Sequence, residues 1–245
     1  MVVKTIEELS QIVEKQQKEI QILKDVHEIQ NLMGRYIYYH EVNAEGNFPD
    51  KFFEMFYAKK TPGVSAEVAH GGVYLGEESI KKKMWAPMPG MDAGLMKGGL
   101  FTHPLTTPVI EVAGDGKTAK GVWISPGYET RHDPETKQPM GCFVYTKYGV
   151  DFVKENEKWK IWHYHVYRVF MTPWNVPFTE EWEKNVGDKQ MPFAAGKRSD
   201  LPTTVDKPYS KDTARELVPA PPEPYETWSD TFSYGPPVFK QEDMK

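Results

Sequence analysis

The chain of 245 residues has one cysteine, Cys142. A single thiol excludes an internal disulfide and any zinc site built on several thiolates. Followed by Phe143 and Val144, Cys142 reads as a small buried filler and not as a nucleophile. No run of about 18 apolar residues occurs, so no membrane-spanning helix is expected. Positive charge is also short. Lys and Arg number 30 against 35 Asp and Glu, a formal charge of -5. No basic surplus exists to displace counterions, so a nucleic-acid partner is not expected. Residues 1–11 carry charge where a secretory leader needs an apolar stretch, and a cytoplasmic setting is the expectation. A Gly-rich phosphate loop, a nucleophile elbow and a dinucleotide fingerprint are all missing, so no organic cofactor is expected.

Aromatic residues are abundant: 7 Trp, 13 Tyr and 12 Phe. Together with 11 Met they favour a flat, apolar ligand. Residues 4–43 lack proline, contain only Gly34, and predict one long helix. In its first part Ile6, Val13 and Ile20 repeat every seven residues, as do Leu9, Gln16 and Leu23. That narrow seam suits a neighbouring helix and predicts a homo-oligomer, trimer or dimer. From Val26 the apolar face widens through Ile29, Leu32, Met33, Tyr36 and Ile37, which should enter the core.

A second helix should start near Pro49, capped by Asn47. Residues 65–70 read as a strand and 77–85 as a short helix. Residues 86–100 are rich in Gly, Pro and Met and predict a long loop. Four strands should follow, at about 101–112, 117–130, 140–154 and 158–171, joined by short polar turns. A helix, short elements and then a long meander is an α+β plan. The organisation predicted is a helical extension over 1–24, an α+β domain over 25–171, and an irregular Pro- and aromatic-rich extension over 172–245.

Candidate chemistry is scattered along this plan. His103 opens a strand, and a neutral imidazole exchanges protons near neutral pH. Tyr36 and His40 are four apart on one helix face; Glu41 lies further round and joins them only if the helix ends there. Tyr128 and Glu129 follow Pro126-Gly127, which predicts a bulge that re-aims them. His163 and His165 alternate on one strand face, and His165 is the expected pocket residue. The two histidines could also begin a metal site, but no third ligand follows at a fitting spacing, and no metal is expected. Arg168 should face the other way and form a salt bridge. Trp85, Phe101 and the nearby methionines should supply an apolar wall, with Lys97 in the loop able to pair a phenolate.

Three segments resemble the nuclear-transport-factor-2-like superfamily, and within it the SnoaL-like enzymes. They are residues 25–41, residues 101–123 with His103 and the Gly114-Asp115-Gly116 turn, and residues 148–163 with Trp159-Lys160-Ile161. The resemblance implies a cone, in which a curved antiparallel sheet wraps around helices and a pocket opens at the wide end. It implies a cofactor-independent lyase, of the kind represented by scytalone and bile-acid dehydratases and by diarylpropane formaldehyde lyases. Tyr36, Glu41 and His103 match the positions that line the pocket in such dehydratases. The chain departs from the pattern where relatives place a second acid-base group and it has Ser125 to Glu129. The expected activity is therefore dehydration or C–C cleavage of a hydroxylated, aromatic or polycyclic small molecule. The superfamily also includes non-catalytic binding and assembly domains, so that alternative stays open, as does a metal enzyme using His163 and His165.

Overall fold

The computed structural model describes residues 5–41, 48–85, 99–133, 136, 138–183 and 199–237. Helix α1 spans Ile6–Glu41. Its start is fixed reciprocally: the Thr5 N–H donates to Glu8 Oε2 at 2.8 Å, and the Glu8 N–H donates to Thr5 Oγ1 at 3.2 Å. The helix has two halves. Up to Leu23 the seam of Ile6, Leu9, Val13, Ile20 and Leu23 stands in solvent, while Ile22 already leans on the core; from Asp25 the helix is buried on one side through Ile29, Met33, Tyr36 and Ile37. Asp25 sits at the junction and accepts hydrogen bonds from Lys154 Nζ at 2.8 Å and from the Trp159 indole at 2.9 Å. The Trp-Lys-Ile hairpin thus clamps the helix where it enters the domain.

Helix α2 spans Phe48–Phe56 and buries Phe52, Phe53 and Phe56; the proposed cap Asn47 lies outside the described residues. Strands β1 (Ser65–Val68) and β2 (Val73–Leu75) form a small hairpin, followed by a turn of helix α3 (Gly76–Ser79) that widens into a π turn over Ile80–Met84. Three of the residues expected in one strand at 101–112 break the continuity. The structure has β3 (Phe101–Thr102) and β4 (Thr106–Val112), separated at His103-Pro104-Leu105. Proline has no N–H for a ladder, and the residue before it is sterically restricted, so the chain steps here. The long strands β5 (Thr118–His132), β6 (Pro139–Glu155) and β7 (Lys158–Pro173) complete the sheet.

The order is β2-β1-β7-β6-β5-β3, with β4 also on β5. The sheet is mixed, not purely antiparallel as the sequence suggested, because β1 runs parallel to β7. Helices α1 and α2 pack on one face, where Tyr36, Phe52, Trp123, Phe152, Ile161 and Tyr164 share a core. This is the α+β cone plan with a long N-terminal helix.

The bulge expected at Pro126-Gly127 is absent. The β5–β6 register runs unbroken from Thr118↔Val153 to His132↔Pro139. Register shifts occur instead on β4–β5, between Thr106 and Val109, and twice on β6–β7. One of the latter sets Asp151 against His163 but Phe152 against Ile161, leaving Trp162 as an extra residue. An extra residue inverts the alternation of faces beyond it.

The described part of the C-terminal extension, 199–237, is irregular but closely packed on the outer face of the sheet. Buried Asp151 accepts hydrogen bonds from Lys120 Nζ (2.7 Å), Ser233 Oγ (2.7 Å) and the Tyr234 N–H (2.8 Å). Glu67 accepts from the Thr204 N–H at 2.6 Å and hydroxyl at 2.7 Å. The fully buried Lys120 ammonium also lies 4.1 Å from the Trp228 ring and 5.0 Å from that of Phe232. Buried charges survive only when paired, and here the extension supplies much of that pairing.

Candidate active site

The helix-facing side of the sheet gathers the sequence candidates at the end of α1. His103 sits at the step between β3 and β4, buried, with Nε2 3.1 Å from Glu129 Oε1. Glu129 lies on β5, and its other oxygen meets the Arg131 guanidinium. Burial alone would push the Glu129 carboxyl up. Arg131 beside it, the His103 hydrogen bond and nearby Arg168 outweigh that and hold it below the ordinary carboxylate range. The dyad is therefore an imidazole against an anion that two arginines keep ionised.

Gly127 makes this contact possible. A Cβ at that position would stand 2.6 Å from His103 Nδ1 and 2.7 Å from the Thr102 carbonyl oxygen. Beside it, β5 has no β-strand partner on the β3/β4 side between Ser125 and Gly127, since pairing stops at Thr102↔Tyr128 and resumes at Thr106↔Ile124. Pro126, without an N–H, falls in that gap. The Ser-Pro-Gly stretch thus serves to admit the His103 ring.

His40, from the last turn of α1, places its ring centroid 5.4 Å from that of His103 and 5.4 Å from that of Trp85. Burial and the neighbouring His103 push its imidazole down to about 4, with Glu129 and a backbone hydrogen bond at Phe101 opposing them. His40 is therefore neutral at physiological pH. The Nδ1 atoms of His40 and His103 are both buried and without a hydrogen-bond partner among the described residues. Buried polar atoms without partners are rare, and these two belong to rings whose centroids are 5.4 Å apart.

Tyr36 lies below, fully buried. Its hydroxyl is 3.2 Å from that of Tyr57, and its ring packs against Phe52, Phe56, Trp85 and Tyr164. Burial first, then Tyr164 and Tyr57, push its hydroxyl well above the usual tyrosine range, so it stays protonated. Glu41 accepts a hydrogen bond from the Thr102 hydroxyl, one residue from His103. Phe101 is half-buried, with the Arg131 guanidinium 5.5 Å from its ring centroid. Trp85 closes the wall between His40, Tyr36 and Phe52.

Two expected residues, His165 and Tyr128, are not brought to this cluster. His165 lies on the outer face, Nδ1 3.1 Å from the Tyr234 carbonyl oxygen and Nε2 3.3 Å from Glu67. The extra residue Trp162 explains this, because Ile161 faces the core while His163 and His165 turn outward. Tyr128 is exposed and packs its ring near Phe143 and Trp174, since adjacent strand residues point oppositely. Lys97 lies outside the described residues. His163 binds Asp151 through Nδ1 at 2.8 Å. Among the described residues no group of three or more His, Cys, Asp or Glu is placed to hold a metal ion.

Arg131 joins this cluster through Glu129 and is not among the candidates the sequence offers. It shares a β5 face with Glu129 at a spacing of two, a signal that was present. Arg168, two residues past Val166 on the core-facing side, forms the expected ion pair, with Glu183.

Residues 21–165, more than half the chain, match the SnoaL-like domain. The chain belongs to the SnoaL-like family. The match ends within β7, so the C-terminal extension falls outside it. Solved structures of similar fold include a candidate scytalone dehydratase from Novosphingobium aromaticivorans, at 17% identity over 65% of this chain and 93% of that one, with a TM-score of 0.49. A hexachlorocyclohexane dehydrochlorinase from Novosphingobium barchaimii is 13% identical over 65% of this chain and 99% of that one, with a TM-score of 0.46. A candidate NTF2-like dehydratase from Streptomyces avermitilis is 14% identical over 60% and 98%, with a TM-score of 0.46. No curated protein matches the chain. The SnoaL-like assignment rests on the domain match, not on these distant likenesses. No helix among the described residues is long and apolar enough to cross a membrane.

Proposed function

We propose that this SnoaL-like protein is a lyase that removes water, or a small carbonyl fragment, from a hydroxylated aromatic small molecule by acid-base catalysis. The observation that carries the reading is the buried His103–Glu129 pair at 3.1 Å, with His103 Nδ1 left without a partner. With Glu129 anionic and accepting the Nε2 proton, Nδ1 holds the basic lone pair. His103 takes a proton from the substrate, and Glu129 stabilises the imidazolium that forms. In dehydration the C–O bond breaks as the substrate's C=C bond forms. His103 returns its proton to the departing hydroxyl, which leaves as water, and the protein ends unchanged.

His40 acts as a neutral hydrogen-bonding group that orients the substrate oxygen. A cation there would compete with His103 for Glu129, and its low proton affinity prevents this. Tyr36, Trp85 and Phe101 offer apolar surface for a flat ring. Glu41 fixes Thr102 and thereby the backbone beside His103.

Glu129→Gln tests this reading. It keeps the shape but removes the anion, so the rate on a turned-over phenolic alcohol should fall by about 10²–10⁴, the usual worth of a proton-transfer group. A rate within a factor of two of wild type would remove the dyad from the mechanism. Chelation with EDTA should leave the rate unchanged, and loss on chelation with recovery on one metal ion would overturn the acid-base scheme.

A further inference from the structure

The first half of α1 has an apolar seam that its own domain does not cover. Ile6, Leu9, Val13, Ile20 and Leu23 are 89%, 50%, 49%, 50% and 69% exposed. They sit at the a and d positions of successive heptads, with Gln16 the one polar residue among them. The seam lies away from the domain: Leu23 is about 200° around the helix from Asp25, the first buried residue, at 3.6 residues per turn. It also has a definite end, because the next a and d positions are His27 and Gln30. About 28 Å of helix, residues 6–24 at ~1.5 Å per residue, is thus presented with its apolar edge outward.

We propose that this segment forms a two-stranded parallel coiled coil with the same segment of a second copy of this chain. A 3-4 repeat is filled by a helix with the same repeat, whose knobs enter its holes. The residue types select the number of strands. Ile and Val at a with Leu at d favour two, so of the dimer and trimer that the seam alone allowed, the dimer is the better fit. Charge selects the direction. With Ile6 at a, Glu19 is a g position and Lys24 is the e position of the following heptad. In a parallel, in-register pair these face each other across the seam, twice by symmetry. An antiparallel pair sets g against g and e against e, and loses both contacts. Both side chains stand exposed at the edge of the seam.

A free peptide of under three heptads would be marginal, because helix nucleation is costly. Here the helix is already formed and anchored at Asp25 by Lys154 and Trp159, so association does not bear that cost. Gln16 is the one polar layer of the seam, and a slipped register would set it against an apolar residue.

The test uses the full chain at micromolar concentration, read by sedimentation. The intact protein should have twice the 28.2 kDa of one chain. Val13→Asp/Ile20→Asp, at exposed positions, should shift it to monomer while circular dichroism stays near wild type. Glu19→Lys should weaken the dimer, and Glu19→Lys/Lys24→Glu should restore it. Gln16→Cys should link covalently under mild oxidant only if the helices are parallel and in register, and Cys142, being buried, does not compete. A monomeric or trimeric wild-type mass would overturn the proposal. So would a dimer that survives the double aspartate variant, or failure of Gln16→Cys to cross-link.

Discussion

Adding one methyl group at position 127 should disable the site without touching any titratable residue. In Gly127→Ala the new Cβ would stand 2.6 Å from His103 Nδ1, 3.2 Å from His103 Cε1 and 2.7 Å from the Thr102 carbonyl oxygen. Ordinary contacts there need roughly 3.4–4 Å. The backbone oxygen belongs to a paired strand residue, so the ring is what gives way, by about 0.8 Å. Moving it that far from a 3.1 Å separation breaks the hydrogen bond to Glu129. Misplacing a catalytic group by about 1 Å can cost ~10²-fold in rate. Overpacking should also cost about 1–3 kcal/mol of stability. The assay pairs a rate measurement on a turned-over phenolic alcohol with thermal unfolding, and with proton NMR of the His103 ring to follow its bond to Glu129. A variant that keeps wild-type rate and the His103–Glu129 hydrogen bond would refute the reasoning.

Further predictions follow from the buried groups. Tyr36→Phe removes a hydroxyl committed to Tyr57, so it should cost about 1 kcal/mol of stability. Its effect on rate should stay below about tenfold, well short of a proton-transfer group, and a larger loss with unchanged folding would put the Tyr36 hydroxyl on the substrate. Asp151→Asn should strand the buried Lys120 charge, cost about 3–5 kcal/mol and expose 199–237 to limited proteolysis; protease resistance equal to wild type would contradict the role given to Asp151 in holding the extension. Burial alone would raise the Asp151 carboxyl, but the His163 hydrogen bond and the Lys120 charge hold it below its usual 3.8. Its stabilising contribution is therefore complete above that value and lost as pH falls below it. His40 binds its proton less readily when folded, so stability should decline as pH falls from about 6.5 towards 4. His40→Gln should flatten that part of the denaturation profile.

The local patterns that decided the fold were legible in the chain. The 3.6-residue periodicity after Val26, the period-two strands and the polar turns placed α1 and the long strands to within a few residues. The Trp159-Lys160-Ile161 hairpin was visible as a motif, although its task, donating the Trp159 indole to Asp25, was not. What was not legible depended on distant partners or on strand phase. The parallel β1–β7 pairing joins segments about 100 residues apart, which no local pattern encodes. The facing of His163 and His165 turns on one extra residue in β7, which plain alternation along the strand does not show. At the site, His103, His40 and Glu129 were legible as residue types near chain steps. Their convergence was not, because it depends on the gap beside Gly127 and on where α1 ends. Arg131 was overlooked because its role appears only beside Glu129. The covering of Lys120 and Asp151 by the extension was equally hidden, since that segment has no periodicity.

The most direct test of the account is mass-spectrometric detection of water or formaldehyde loss from a panel of phenolic alcohols and steroids, without added cofactor, for wild type and His103→Ala side by side. The account predicts that wild type converts at least one member. It also predicts that His103→Ala, with the fold intact, is slower by about 10²–10⁴. Conversion of no member by wild type, or equal conversion by both proteins, would contradict it.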